Sequence, residues 1–194
     1  MTVNKRVFGI TGPTGSGKSY ISGLFSKKGI TIIDCDKIAR EIVNPNEDAS
    51  KELREYFGDK YFDKDGNLLR REIANVVFKD KEKLLKLNEI THKHIDKKIA
   101  EIIDATSGII LIDGAVIIGS PVEKRCEFLV GVLSPVEERI KRLKIRDNLT
   151  EDEIKNRIMS QAGDEFYKEN CRFIIENTDD ADLEKKVIEI LGIF

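Results

Sequence analysis

The sequence predicts a three-layer α/β domain built on a parallel five-stranded sheet. Apolar runs recur at 6–10, 31–34, 109–112, 128–133 and 173–176, and they are too continuous for strands with one wet face. Helix-patterned stretches separate them, the alternation that gives parallel strands with helices on both faces. The first run also leads through a glycine-rich octet into a helix that places Ile21, Leu24 and Phe25 on one side.

That octet is Gly12-Pro13-Thr14-Gly15-Ser16-Gly17-Lys18-Ser19, which fits G-x-x-x-x-G-K-[ST] between a strand and a helix. Gly12, Gly15 and Gly17 tolerate the backbone angles that let successive N–H groups converge on phosphate oxygens. The helix starting near Lys18 adds the positive end of its dipole, Lys18 a point charge for the outer phosphates, and the Ser19 hydroxyl a ligand for Mg²⁺. A nucleoside triphosphate with its magnesium ion is the expected ligand. Lys18→Ala is expected to leave the fold intact, because a lysine aimed at phosphates contributes little when they are absent.

At 194 residues with 40% hydrophobic content, the chain suits one compact domain. No apolar stretch approaches the roughly 18 residues of a membrane span, and the N-terminus has no apolar leader segment, so a cytoplasmic protein is expected. Cys35, Cys126 and Cys171 are odd in number and widely spaced, which reads as free thiols. A formal net charge of −2 argues against a bulk nucleic-acid binder. Anionic ligands must therefore be met by locally concentrated positive charge.

Between the second and third strands, 44–107 reads as helix and turn. Asn44-Pro45-Asn46 and Asp63-Lys64-Asp65-Gly66-Asn67 mark turns, while Leu84, Leu87, Ile90, Ile95 and Ile99 sit at helical spacing. This is an inserted helical subdomain within a core made of 1–43 and 108–194. His92 and His94 lie about 200° apart on a helix and do not chelate one ion. Arg70 and Arg71 follow the second turn, either as an exposed basic pair or as contacts to a second phosphate group.

Beyond the fourth strand, Ser134-Pro135-Val136-Glu137 reads as a helix start with a capping serine. Val136, Ile140 and Leu143 then form an apolar stripe, with Arg139, Arg142 and Arg146 on a second stripe beside it. A second helix starts at the capping box Thr150-Glu151-Asp152-Glu153 and carries Arg157 and Gln161 one turn apart. The arginines are either a solvated basic face or a lid, over 136–165, that meets the charge of a transferred phosphoryl group.

Two strand ends supply carboxylates. The second strand closes on Asp34-Cys35-Asp36, where Asp36 either caps the helix after it or orients an attacking hydroxyl. The third closes on Asp113, which is either a turn residue or a Mg²⁺ partner acting through water.

Taken in order, these segments resemble the dephospho-coenzyme A kinase family along nearly the whole chain. The correspondence runs from Gly9-Ile10-Thr11-Gly12 and the glycine loop through Ile33-Asp34-Cys35-Asp36-Lys37-Ile38-Ala39-Arg40, which is similar to the family's D-x-D-x-I-A-R. Residues 70–78 resemble R-x-x-L-x-x-x-[IV]-F with Ile73 for leucine, and 87–95 resemble L-x-x-[IL]-x-H-P-x-[IV] with Lys93 for proline. Arg139, Arg142, Arg146, Arg157, Ser160-Gln161 and 173–177 complete the series. After the third strand, Gly114-Ala115-Val116-Ile117-Ile118 stands where the family has P-L-L-[FV]-E.

The resemblance implies a P-loop kinase core with a helical coenzyme A subdomain and a helical lid. It implies transfer of the ATP γ-phosphate to the 3′-hydroxyl of dephospho-coenzyme A. It places the hydroxyl-orienting role on Asp36, acceptor contacts on Arg40, Arg70 and His92, and phosphoryl stabilisation on Lys18 and Arg146. ATP contacts fall to the loop, Thr14 and Ser16 included, and to Arg142; Mg²⁺ falls to Ser19 and Asp113. A nucleoside or nucleotide monophosphate kinase would share core and lid. A GTPase-type switch would need the glycine of D-x-x-G after the third strand, which Asp113-Gly114-Ala115-Val116 lacks, and an N-K-x-D motif, which the sequence does not contain.

Overall fold

The computed structural model describes residues 5–147 and 149–194. Five strands form one sheet: β1 (Arg6–Thr11), β2 (Thr31–Asp34), β3 (Ile109–Asp113), β4 (Leu129–Leu133) and β5 (Phe173–Glu176), in the order β2-β3-β1-β4-β5. β1 pairs in parallel with β3, Phe8 opposite Leu111, and with β4, Ile10 opposite Val130; β4 pairs in parallel with β5. Central β1 is buried along all but its first residue, as expected for a strand covered on both faces. Its neighbours come from later in the chain on either side, so the sheet order reverses at β1. Ligands of open α/β sheets bind beyond the carboxyl ends of the strands at such a reversal.

The chain forms two compact units. The first comprises 1–33 and 106–194 and holds the sheet core. In it, α1 (Lys18–Lys27) buries Ile21, Ser22, Leu24 and Phe25, and α9 (Leu183–Leu191) buries Val187 and Ile190. Aromatic rings knit this core: Phe8 lies 5.2 Å from Phe25, 5.4 Å from Phe128 and 5.3 Å from Phe194 between centroids. Such pairs add about 0.5–1.5 kcal/mol each beyond the area they bury. Also in this unit are α6 (Val136–Asp147), α7 (Glu151–Met159) and α8 (Asp164–Asn170).

The second unit, 34–105, is helical: α2 (Cys35–Glu41), α3 (Asp48–Phe57), α4 (Arg70–Val77) and α5 (Lys81–Ala105). Ile38, Leu53, Phe57, Ile73, Val77, Ile90 and Ile99 are among its buried side chains. The turn at 63–67 is built by Asp63, whose Oδ1 accepts from the Asp65 and Asn67 amides at 2.9 and 2.8 Å, with Gly66 at φ 86°.

Two sequence expectations need correction. The cap of α2 is Asp34, whose side chain accepts from Lys37 N at 2.9 Å, so Asp36 lies inside the first turn and is exposed. On α6 the buried residues are Arg139 and Leu143, whereas Val136 is exposed. The apolar stripe expected there is thus interrupted by a guanidinium. The capping box of Thr150 and Glu153 on α7 is present as expected.

Candidate active site

β1 runs directly into the glycine loop. Gly15 and Gly17 adopt φ of 78° and 89°, a left-handed region that costs a side-chain-bearing residue about 1 kcal/mol or more. Gly17 is the N-cap of α1, no side chain caps that helix end, and its first turn carries no acid. Open amides and the positive end of the dipole together make an anion site. Ser19, in that first turn, is exposed.

Lys18 does not stand free. Its ammonium pairs with Asp113 Oδ1 at the end of β3, and Ser22 Oγ donates to Oδ2 of the same buried carboxylate at 2.5 Å. Lys18 therefore also balances a buried carboxylate, a contact that the glycine-loop motif does not encode. Ser22 carries no motif signal; only its place one helical turn beyond Lys18 brings it to Asp113.

The three arginines of α6 do different things. Arg139 is buried, and its Nε donates to the Thr14 carbonyl at 2.8 Å. Arg142, half-buried, donates from Nη1 to Ser134 Oγ at 3.0 Å and, at 3.4 Å, to the Gly15 and Ser16 carbonyls. The Ser134 hydroxyl, expected as a helix cap, thus receives Arg142. Arg146 is exposed and makes a two-pronged pair with Asp147, at 2.6 and 2.8 Å, which Arg157 joins at 2.9 Å. α7 ends before Gln161, so Gln161 does not share a helix face with Arg157; its Oε1 instead accepts from Thr14 N at 2.8 Å. Buried Asn177, just beyond β5, donates from Nδ2 to the Ser16 carbonyl at 2.8 Å.

In the second unit, Asp36 and Arg40 are exposed on α2 one turn apart. A cavity of about 420 Å³ opens among α2, α4 and α5, lined by Ala39, Val43, Arg70, Ile73, Phe78 and His92 among others. Arg70 Nη2 approaches the Ala39 and Arg40 carbonyls at 3.4 Å, which ties α4 to the C-terminal half of α2. His92 lines this cavity, whereas His94 turns to Glu52, whose Oε1 lies 3.1 Å from its Nε2 and 2.7 Å from Lys93 Nζ. The two histidines thus diverge as helical geometry requires. Among the described residues, no group of three or more His, Cys, Asp or Glu side chains is placed to hold a metal ion.

The sequence model of dephospho-CoA kinase matches residues 6–182, nearly the whole chain. The chain belongs to the dephospho-CoA kinase family. It is 33% identical to the dephospho-CoA kinase of Listeria monocytogenes over 187 residues, 94% of each chain. Among solved structures it superposes on TT1252 from Thermus thermophilus with a TM-score of 0.86, and on dephospho-CoA kinase from Campylobacter jejuni with a TM-score of 0.60. Each is 25% identical and covers 97% of both chains. Members of this family are ATP-dependent kinases, and the protein is one.

Against the family pattern the segment after β3 is distinctive. Gly114 N donates to the Ile10 carbonyl at 3.1 Å and Thr11 Oγ1 to the Ala115 carbonyl at 3.2 Å, so the altered stretch is stitched to the end of β1. Val116 projects into solvent, 78% exposed. Gly119 N then donates to Glu123 Oε2 at 2.7 Å, which brings an acid from the following 3₁₀ turn (Pro121–Arg125) back to the loop.

Proposed function

We propose that the chain phosphorylates dephospho-coenzyme A at its ribose 3′-hydroxyl, giving coenzyme A and ADP. An intact, uncapped phosphate loop in a chain of this family is the observation that carries the reading. In the reaction the acceptor oxygen bonds to the γ-phosphorus, the bond to the bridging oxygen of ADP breaks, and the hydroxyl proton passes to the Asp36 carboxylate. Lys18 and Arg146 meet the charge of the transferred group, and the loop from Gly12 to Ser19 with Arg142 holds the donor. Arg40, Arg70 and His92 contact the acceptor. The apolar walls and single arginine of the cavity beside His92 suit an extended, partly apolar chain bearing phosphate.

Magnesium fits this donor set in one way. Ser19 is exposed at the helix start and available as a ligand, whereas both oxygens of Asp113 are already engaged, so Asp113 meets the ion through water. The ion would neutralise developing charge on the β- and γ-phosphates. Residues 136–165 act as the lid, 44–107 as the acceptor subdomain, and 1–43 with 108–194 as the nucleotide core. Free thiols suit a reducing cytoplasm; among the described residues no helix is long and apolar enough to cross a membrane.

Labelled ATP incubated with a panel of acceptors tests the reading. Label on dephospho-coenzyme A, released as coenzyme A, is expected. Label appearing instead on a nucleoside or a nucleoside monophosphate would assign the protein to another acceptor.

A further inference from the structure

Two buried side chains hold the phosphate loop by its carbonyl groups. Arg139, 4% exposed, takes the Thr14 carbonyl; Asn177, 7% exposed, takes that of Ser16. In a trans peptide the carbonyl of one residue and the N–H of the next point to opposite sides of the chain. Drawing the Thr14 carbonyl onto Arg139 therefore turns the Gly15 N–H away from it, and drawing the Ser16 carbonyl onto Asn177 does the same to the Gly17 N–H. The Thr14 and Ser16 carbonyls are thus pinned by buried side chains, and the half-buried Arg142 reaches the Gly15 and Ser16 carbonyls at the longer distance of 3.4 Å.

The loop's glycines rest directly on these two residues. A Cβ on Gly15 would lie 3.1 Å from Arg139 Cβ, and one on Gly17 would collide with the Asn177 amide nitrogen. The preceding peptide is held as well, because Gln161 Oε1 accepts the Thr14 N–H.

Arg139 is an expensive way to make one hydrogen bond. Its Nη2 is buried without a hydrogen-bond partner among the described residues, and burial lowers its proton affinity, offset in part by Asp164 and Tyr167. Burying a charge with one donor unmet costs free energy that a single hydrogen bond offsets only in part, so stability alone does not account for this guanidinium. A cation fixed behind an anion-binding loop acts on the ligand through a water-poor medium, where charge is screened less.

We propose that Arg139 and Asn177 are positioning residues for the polyphosphate of ATP: without touching it, they aim the Gly15 and Gly17 amides at it. The inference rests on the reading of the loop as the ATP site and not on the identity of the acceptor.

Titration calorimetry with ATP, and separately with inorganic tripolyphosphate, on Asn177→Ala, Arg139→Met and Arg139→Lys tests it, alongside steady-state kinetics and thermal midpoints. Asn177→Ala and Arg139→Met are expected to weaken both ligands tenfold or more and to raise KM for ATP alike, with KM for the acceptor changed less than twofold. Arg139→Lys should recover part of the loss, and nucleotide-free Arg139→Met should melt no lower than the parent. Unchanged ATP and tripolyphosphate affinities would overturn the proposal. So would a lowered midpoint with both KM values rising together, the mark of a merely structural role. Should Asn177→Ala fail to fold, Asn177→Ser decides by the same criteria. An unexpected acceptor would revise the function above and leave these two titrations fully interpretable.

Discussion

Lys18 and Asp113 are joined in an ion pair that Ser22 completes, so the loop lysine is stored against a buried carboxylate at the end of the neighbouring strand. If Lys18 meets the outer phosphates as proposed, Lys18→Ala should lower turnover about 10²-fold or more. It also strands a buried acid with a single hydroxyl partner, which should cost about 1–3 kcal/mol of stability. Adding Asp113→Asn to Lys18→Ala should restore the melting temperature without restoring turnover. Recovery of turnover in the double variant would show that the lysine serves only to neutralise Asp113.

Asp34 and Asp36 separate structure from chemistry within three residues. Asp34→Ala removes the side-chain cap of α2 and should lower stability by about 1 kcal/mol. Asp36→Asn removes no cap, so its melting temperature should match the parent, while turnover falls by about 10²–10⁴ if this carboxylate takes the proton. Thermal melts and steady-state rates on the pair check both halves. A large loss of stability in Asp36→Asn would return it to a structural role.

The centre of the sheet was legible because β1, β3 and β4 are buried along nearly their whole length, and continuous apolar runs such as 109–112 have no competing helical period. The glycine loop was legible because φ and phosphate access constrain residue type at fixed offsets. What the sequence hid were contacts between residues far apart in the chain. Asn177 reaches Ser16 across 161 positions and Gln161 reaches Thr14 across 147, and no local pattern encodes either. Helical periodicity placed Arg139 beside Arg142, but it does not say which guanidinium the surrounding helices bury. Likewise, Asp34 and Asp36 are equally good caps by residue type, and only the point at which β2 gives way to α2 selects Asp34.

Burial pushes the Cys126 thiol up to about 12, with the Glu123 charge adding to the effect, and the Cys171 thiol up to about 11 for the same reasons. Both therefore stay neutral at pH 8 in the folded protein, and thiolate is the form that reacts. Iodoacetamide at pH 8 should leave both sites unmodified for as long as the fold persists and label them quickly in denaturant, as read by peptide mass spectrometry. The linkage has a definite sign. A thiol pKa raised above its unfolded value contributes stability that is present below about pH 9 and lost as pH rises toward the folded values. Stability should thus decline above pH 9, less steeply when Cys126 is replaced by alanine. Rapid alkylation of Cys126 in the native state would contradict this assignment.

Arg70 tests the proposed acceptor role of the cavity that it lines. Its recorded bonds, to the Ala39 and Arg40 carbonyls, are long at 3.4 Å, and its side chain is largely in solvent, so Arg70→Ala should change stability by no more than about 0.5 kcal/mol. If the guanidinium takes a phosphate of the acceptor, losing that charge-assisted contact, at about 1.5–3 kcal/mol, should raise KM for dephospho-coenzyme A about tenfold or more. KM for ATP should stay where it is. Arg70→Lys keeps the charge but not the paired donors and should fall between parent and alanine. Initial rates at varied acceptor and fixed, saturating ATP separate these outcomes, and an alanine variant with unaltered acceptor KM would remove Arg70 from the acceptor contacts.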